Sequence, residues 1–319
     1  MKRIGVLTGG GDAAGMNAGL RAVVRSAWAK GAEVVGINRG WLGLSEGDAD
    51  VMKSGSVSGI IDRGGTVLRT FRYPEFQTPD GQEKVKRVLQ KLRLEGLVII
   101  GGDGSFRGGH VINQLFDLPV VGIPATIDND IPGTDYSIGF DTALNIAIDA
   151  VDKIRDTATS HGRIFVIEVM GRSCGLLAVQ CGIGCGAEEV LVPEIPFDLD
   201  QICRRIEKGY DRGKQHAIII VAEGAARAPF ITYELKNRLQ RSIRMMVLGH
   251  LQRGGSPSAF DRILATRLGS VATELLFEGQ RGVMVGVVAN RFKTSPLRKS
   301  SYRMDKVVAQ YAVLQRLLA

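Results

Sequence analysis

Short apolar runs that break into glycine or a carboxylate and then pass into amphipathic helical spacing recur along this chain. That rhythm restricts the folds open to it more than any single residue does. Residues 4–7 are the first such run. The loop Thr8-Gly9-Gly10-Gly11-Asp12-Ala13-Ala14-Gly15 follows, and then Leu20, Val23, Val24, Ala27 and Trp28 recur at i, i+3, i+4, i+7 and i+8, one face of a helix that Gly31 stops. Residues 33–37 read as a second strand, 80–94 as a helix through Val85, Val88, Leu89 and Leu92, and 97–100 as a buried parallel strand. A long helix is expected over 140–159. Strands at 164–169, 190–192, 217–222 and 246–248 alternate with further helical stretches, ahead of a helix over 261–276, a last strand at 283–288 and a closing helix at 305–318. Strand and helix in alternation predict an α/β fold with doubly wound, mostly parallel sheets.

A chain of 319 residues with 45% hydrophobic content has material for two cores. Its apolar runs are too short to span a bilayer, and the one at the amino terminus dissolves into glycines before it resembles a signal peptide, so a cytoplasmic protein is expected. Cys174, Cys181, Cys185 and Cys203 form no C-x-x-C pair and have no partnered histidine spacing. They read as reduced, core-filling thiols. Eight Lys or Arg against Asp305 in residues 281–319 make +7 of the net +8. Arg291, Lys293, Arg298, Lys299 and Arg303 match no nucleic-acid motif and read as solvated surface.

Polar residues gather where strands end. After the apolar run 119–123 comes PATIDNDIPGTD, with Asp128, Asp130 and Asp135. Carboxylates beyond the carboxyl ends of parallel strands point to chemistry, although the same residue types also build solvated turns. The first glycine loop lacks the Walker pattern and misses the dinucleotide spacing by one residue; it reads either as a phosphate cradle at a helix amino terminus or as a tight turn. Gly101-Gly102-Asp103-Gly104-Ser105 repeats the arrangement at another strand end, with Asp103 a candidate magnesium ligand. Arg63, Arg69 and Arg72 offer planar donor forks. Gly171-Arg172, Glu223-Gly224 and the turn from His250 to Arg253 follow later strands.

Together TGGGDAAGMN, IGGDGS, PATIDND, GTDYSIGFDTA, EVMGR, VAEG and LGHLQRGGSP resemble, in order and nearly in spacing, the bacterial ATP-dependent 6-phosphofructokinases. The resemblance implies two Rossmann-like three-layer α/β/α domains: an ATP-binding one over 1–138 plus 252–303, and a fructose 6-phosphate-binding one over 139–251 plus 304–319. It implies a cytoplasmic homotetramer of glycolysis that transfers the γ-phosphoryl of ATP to the 1-hydroxyl of fructose 6-phosphate with Mg2+, and no nucleic-acid or membrane partner. Asp128 matches the catalytic base, with Thr126, Arg72 and Arg172 beside it in catalysis. Gly11, Arg72, Tyr73, Gly102, Asp103, Gly104, Ser105 and Gly108 match nucleotide contacts, and Asp103 the metal-associated carboxylate. For the sugar phosphate the pattern falls on Thr126, Ile127, Asp128, Arg163, Met170, Gly171, Arg172, Glu223, Arg244, His250, Leu251, Gln252 and Arg253, with Arg163 and Arg244 lent by a neighbouring subunit. An ADP or phosphoenolpyruvate effector site matches Arg21, Arg25, Arg155, Gly186, Glu188, Arg212, Lys214 and His216. Ser54 and Gly59 stand there in place of a common Arg and Asp, which predicts an altered effector response. Pyrophosphate-dependent relatives carry Asp at position 104 and Lys at 125; Gly104 and Ala125 favour ATP. A pyrophosphate enzyme and a catalytically silent sugar-phosphate or nucleotide sensor are the competing readings.

Overall fold

A computed structural model of the chain describes residues 1–297 and 305–318, so Arg298, Lys299 and Arg303 of the basic tail lie outside the described residues. In chain order the elements are β1 (Arg3–Gly9), α1 (Met16–Ala29), β2 (Glu33–Ile37), α2 (Gly40–Glu46), β3 (Ala49–Met52), α3 (Pro79–Leu92), β4 (Gly96–Gly101), α4 (Asp103–Leu115), β5 (Val120–Pro124) and α5 (Phe140–His161). They continue with β6 (Ile164–Val169), α6 (Leu176–Cys185), β7 (Glu189–Leu191), α7 (Leu199–Asp211), β8 (Ala217–Ala222), α8 (Ala228–Arg238) and β9 (Ile243–Val247). The last are α9 (Ala259–Phe277), β10 (Val283–Val288), β11 (Arg291–Pro296) and α10 (Asp305–Leu318). Two compact units result: one of Met1–Ile127, Ile131–Thr142 and Arg253–Ser301, the other of Asp128–Asp130, Ala143–Gln252 and Tyr302–Ala319.

The first unit is built on a seven-stranded sheet in the order β11-β10-β5-β4-β1-β2-β3, parallel except at the two outermost pairings. Residue parity sorts its side chains between two layers. Leu97 and Ile99 of β4 join Leu44, Val85, Leu89, Phe106 and Ile112 from α2, α3 and α4 in one cluster. Ile100 turns the other way, towards Gly19 on α1. Both faces are covered, which is why β4 is apolar throughout, and each fully buried Leu or Ile contributes about 1.5–3 kcal/mol. Trp28 departs from the expected stripe and is 61% exposed. Eight residues beyond Leu20, it stands about 80° round the helix and falls off the buried face.

The sequence periodicity also passes over α2, β3 and β11. Of the five α2 residues after Gly40 and Trp41, the two leucines alternate with glycine and serine, and Arg39, left-handed at the position before the helix, is ion-paired with Asp48 and Glu46 at 2.6 Å each. β11 carries part of the basic segment as an edge strand antiparallel to β10, with Arg291 and Lys293 exposed. An edge strand solvated along its length shows no alternation, and charged residues suit it.

The second unit holds a four-stranded parallel sheet, β7-β8-β6-β9. Ile164, Val166, Ile219 and Val221 pack against Ile202 and Ile206 of α7 and Ile231 and Leu235 of α8. β9 begins three residues before the expected strand, its start disguised by Arg244. As an edge it leaves Met245, Met246 and Val247 43–49% exposed.

Candidate functional site

In the first unit, β1 and β4 are neighbours, yet the chain leaves β1 for β2 on one side and β4 for β5 on the other. This reversal is the topological switch point at which open parallel sheets bind ligands. Register pairs Gly9 with Gly101, so the two glycine loops emerge side by side. A Cβ at Gly101 would lie 2.5 Å from the Gly9 carbonyl oxygen; the close approach admits no side chain. α4 starts at once, with Gly102 as a cap that has no side chain, and its first bonds run from the Ser105 and Phe106 N–H groups to the Gly102 carbonyl at 3.0 and 3.1 Å. The Asp103 and Gly104 N–H groups precede these bonds and sit at the positive end of the helix dipole. The Asp103 carboxylate is 41% exposed and meets Arg107 Nε at 3.3 Å. Next to Gly104 there is room: a Cβ there would approach only Arg107 Nη2, at 3.9 Å.

Around this pair of loops the remaining nucleotide candidates are anchored by main-chain bonds. Thr8 Oγ1 donates to the Arg69 carbonyl at 2.9 Å and Thr70 Oγ1 to that of Gly10 at 3.0 Å, so the segment leading to exposed Arg72 lies along the glycine loop. Tyr73 packs half-buried on the core. Thr126 donates its N–H to the Ile138 carbonyl at 3.1 Å and accepts at its own carbonyl from Ser137 Oγ at 2.7 Å, which closes the acidic loop on itself. Behind that loop, fully buried Asp261 accepts from the Gly139 N–H at 2.9 Å and from the Thr142 N–H at 2.8 Å. Burial pushes its carboxyl up in spite of these donors.

Trp41 escaped the sequence reading. It is buried, stacks on Phe76 at 5.0 Å, and donates Nε1 to Ser105 Oγ at 3.4 Å. Its ring also fills the space that Gly108 leaves. A lone aromatic has no spacing to betray it. Arg253, read from sequence with the sugar-phosphate group, is placed by the structure against the first glycine loop, Nη1 3.6 Å from Asp12 Oδ1.

In the second unit the carboxyl ends of β6, β8 and β9 converge. The Met170 N–H donates to Gln252 Oε1 at 2.8 Å and the Arg172 N–H to Glu223 Oε1 at 2.9 Å. Met170, Gly171, Arg172, Glu223 and Gln252 therefore form one constellation, with the Arg172 side chain exposed and His250 and Leu251 exposed on the following turn. Glu168, 4% exposed, underpins it by accepting from Arg227 Nη1 at 2.9 Å and from the Ala228 N–H at 2.7 Å. Asp128 is 9% exposed.

Arg163 and Arg244 are not brought to this constellation. Arg163 precedes β6 and Arg244 pairs with Phe165, both at the amino end of the sheet. Six residues of strand separate Arg163 from Met170, roughly 20 Å at about 3.3 Å per residue, and four separate the level of Arg244 from it, roughly 15 Å.

The effector candidates of the second unit do assemble. Arg155 Nη2 donates to the Cys185 and Gly186 carbonyls, and Arg155 Nη1 lies 3.4 Å from His216 Nε2. Lys214 Nζ reaches Glu188 Oε1 at 3.3 Å, and Glu188 Oε2 accepts from the Ile218 N–H. Arg212 caps the end of α7. Arg21 and Arg25 share a face of α1 in the first unit. A cavity of about 300 Å3 beside Glu189, Phe197, Arg205 and Gln315 is lined by none of the candidate site residues.

Comparison with known proteins follows the same lines. The phosphofructokinase family model matches residues 3–276. The ATP-dependent 6-phosphofructokinase of Halalkalibacterium halodurans is 56% identical over 91% of each chain, and that of Halothermothrix orenii 48% identical over the whole of both. The structure of phosphofructokinase from Saccharomyces cerevisiae superposes with a TM-score of 0.88 at 33% identity, covering 99% of this chain and 47% of that one. With the parallel sheets and both glycine loops as described, the chain belongs to the phosphofructokinase family.

Proposed function

We propose that the chain is an ATP-dependent 6-phosphofructokinase, transferring the γ-phosphoryl of ATP to the 1-hydroxyl of fructose 6-phosphate in glycolysis. The observation that carries this reading is the pair of registered glycine loops at the β1/β4 switch point, with open space beside Gly104 for a nucleotide's phosphate chain. Relatives of that activity at 56% identity support it.

Phosphoryl transfer asks for positioning and charge stabilisation. Asp128 takes the proton of the 1-hydroxyl as its oxygen bonds to the γ-phosphorus, and the bond from phosphorus to the β-phosphate oxygen breaks to release ADP. Gly11, Gly102, Gly104, Ser105 and Gly108 cradle the nucleotide, with Tyr73 beside it. Arg72 and Thr126 steady the moving phosphoryl group. Met170, Gly171, Arg172, Glu223, His250, Leu251 and Gln252 hold the sugar phosphate, together with Ile127 and Arg253. Asp103 suits a magnesium ion. No group of three or more His, Cys, Asp or Glu able to hold a metal occurs among the described residues, and one carboxylate plus substrate phosphates is how this ion is commonly held. When bound, it neutralises charge on the β- and γ-phosphates.

The separation of Arg163 and Arg244 from Arg172 supports assembly as a homotetramer in which a second copy lends them. The exposed apolar edge of β9, which carries Arg244, is a surface suited to such a contact. Arg155, Gly186, Glu188, Arg212, Lys214 and His216, with Arg21 and Arg25, hold an ADP or phosphoenolpyruvate effector, weakened by Ser54 and Gly59. Among the described residues no helix is long and apolar enough to cross a membrane, which accords with a cytoplasmic enzyme.

A coupled assay with fructose 6-phosphate and magnesium, offered ATP or pyrophosphate, tests the reading. Turnover is expected with ATP alone, and Asp128→Ala should lower kcat by about 10²–10⁴ with little change in either KM. Turnover with pyrophosphate alone would reassign the donor. Silence with both donors would leave a sensor.

A further inference from the structure

The turn that follows β6 is strained and doubly anchored. Gly171 has φ +135° and Arg172 φ +56°, the second a left-handed conformation that is unfavourable for a residue with a Cβ. The Cys174 N–H donates back to the Gly171 carbonyl at 2.8 Å. At one end the turn is held by Glu223, through the Arg172 N–H. At the other end Glu194, three residues past β7, accepts from the Gly175 N–H at 2.8 Å through Oε1. Gly175 is also the cap of α6 and supplies no side-chain oxygen of its own.

Three observations single out Glu194. Its Oε2 is buried without a hydrogen-bond partner, an expensive arrangement for a carboxylate. Burial pushes its carboxyl up, with the negative charge of Asp305 adding to the effect. And the fit at Gly175 is closed: a Cβ there would lie 2.5 Å from Val192 and 2.6 Å from Glu194 Oε2. Partly buried, Glu194 commits one carboxylate oxygen to the Gly175 N–H and leaves the other without a partner, so what it contributes to the turn is geometry.

We propose that Glu194 is a positioning residue for sugar-phosphate recognition, clamping the carboxyl-terminal end of the strained turn so that Arg172 is presented in its left-handed conformation. The inference rests on the reading of Arg172 as a fructose 6-phosphate contact. Released at Gly175, the turn relaxes, and the guanidinium must be reordered each time substrate binds.

Steady-state kinetics of the full-length enzyme decide it. Glu194→Ala is expected to raise KM for fructose 6-phosphate about tenfold while kcat and KM for ATP stay within about twofold, a loss of about 1.4 kcal/mol. Glu194→Gln, whose amide oxygen still accepts from Gly175, should restore KM to within about twofold. A merely structural contact would lower the thermal midpoint and leave the ratio of the two KM values alone, and that result would overturn the proposal. If the alanine variant does not fold, Glu194→Asp, too short to reach Gly175, replaces it with the same expected selective rise; a parental KM would overturn the proposal equally. Failure of the functional reading is separable, because the unaltered chain would then show no turnover. Amide exchange at Gly175 would still decide the clamp: about tenfold faster exchange in Glu194→Ala supports it, and an unchanged rate refutes it.

Discussion

The two units approach their proposed ligands by opposite means. In the first, the glycine loops after β1 and β4 present main chain, and the decisive atoms are missing ones: no Cβ fits at Gly101, and one at Gly104 would stand in open space. In the second, the strand ends present side chains, with Glu223 and Gln252 tied to the main chain of the turn that carries Arg172. Recognition by backbone is inseparable from packing, because the atoms that meet the ligand are those that hold the sheet. Recognition by side chains on a braced turn separates the two. Where its glycines are closely packed, as at Gly101, the first unit should therefore lose stability and affinity together, and the second affinity alone.

The sharpest test of this contrast is Arg172→Ala. The guanidinium is exposed and its truncation leaves no cavity. Loss of charge-assisted bonds worth about 1.5–3 kcal/mol each should raise KM for fructose 6-phosphate about 100-fold, with the thermal midpoint and KM for ATP unchanged. A falling midpoint would erase the distinction. Gly101→Ala probes the other side and is expected to cost about 1–3 kcal/mol in urea unfolding while raising KM for ATP, since the new Cβ must push β1 and β4 apart. Gly104→Ala is its control: folding stability should hold and only KM for ATP should rise, a few-fold. Equal destabilisation by both alanines would mean that the loop beside Gly104 is packed rather than open.

How much of this was legible in the sequence follows from the same contrast. Glycine loops at strand ends announce themselves, since a main chain that must approach closely can use only glycine, and the β1 and β4 loops were found from residue types alone. The side-chain constellation was legible in part: the positions after β6, β8 and β9 stood out as polar strand ends, but assigning Arg163 and Arg244 to a neighbouring copy came only from family resemblance. Nothing in their spacing reports that they lie at the far end of the sheet from Arg172. Trp41, Glu194 and Asp261 were missed for one reason. Each acts through a contact distant in sequence, Trp41 with Ser105, Glu194 with Gly175 and Asp261 with Gly139, and periodicity sees only near neighbours. α2 and β11 were missed because glycines interrupt the one and charges the other.

Cys174 gives the finest measure of how firmly the second unit's turn is held. Buried two residues past Arg172, its thiol is pushed up to about 12, chiefly by burial, with Glu194, Asp130 and Asp128 adding negative charge and the Leu176 main chain opposing. An unfolded cysteine ionises near about 8.5. The folded state thus holds the proton more tightly, so this group's contribution to stability is complete below about 8.5 and is lost as pH rises towards about 12. At pH 8 roughly one native thiol in ten thousand is ionised, against about a quarter of unfolded ones, and thiolate is the form that reacts. Iodoacetamide should accordingly label Cys174 roughly a thousandfold more slowly in the native protein than in urea, read by mass spectrometry of the peptide. Raising the pH from 8 to 10 should speed native labelling about 100-fold, while the unfolded rate rises only a few-fold as it saturates. Labelling at the unfolded rate in native protein would mean that the turn opens freely; Arg172 would then be ordered by its ligand, and the second unit would be no better braced than an ordinary loop.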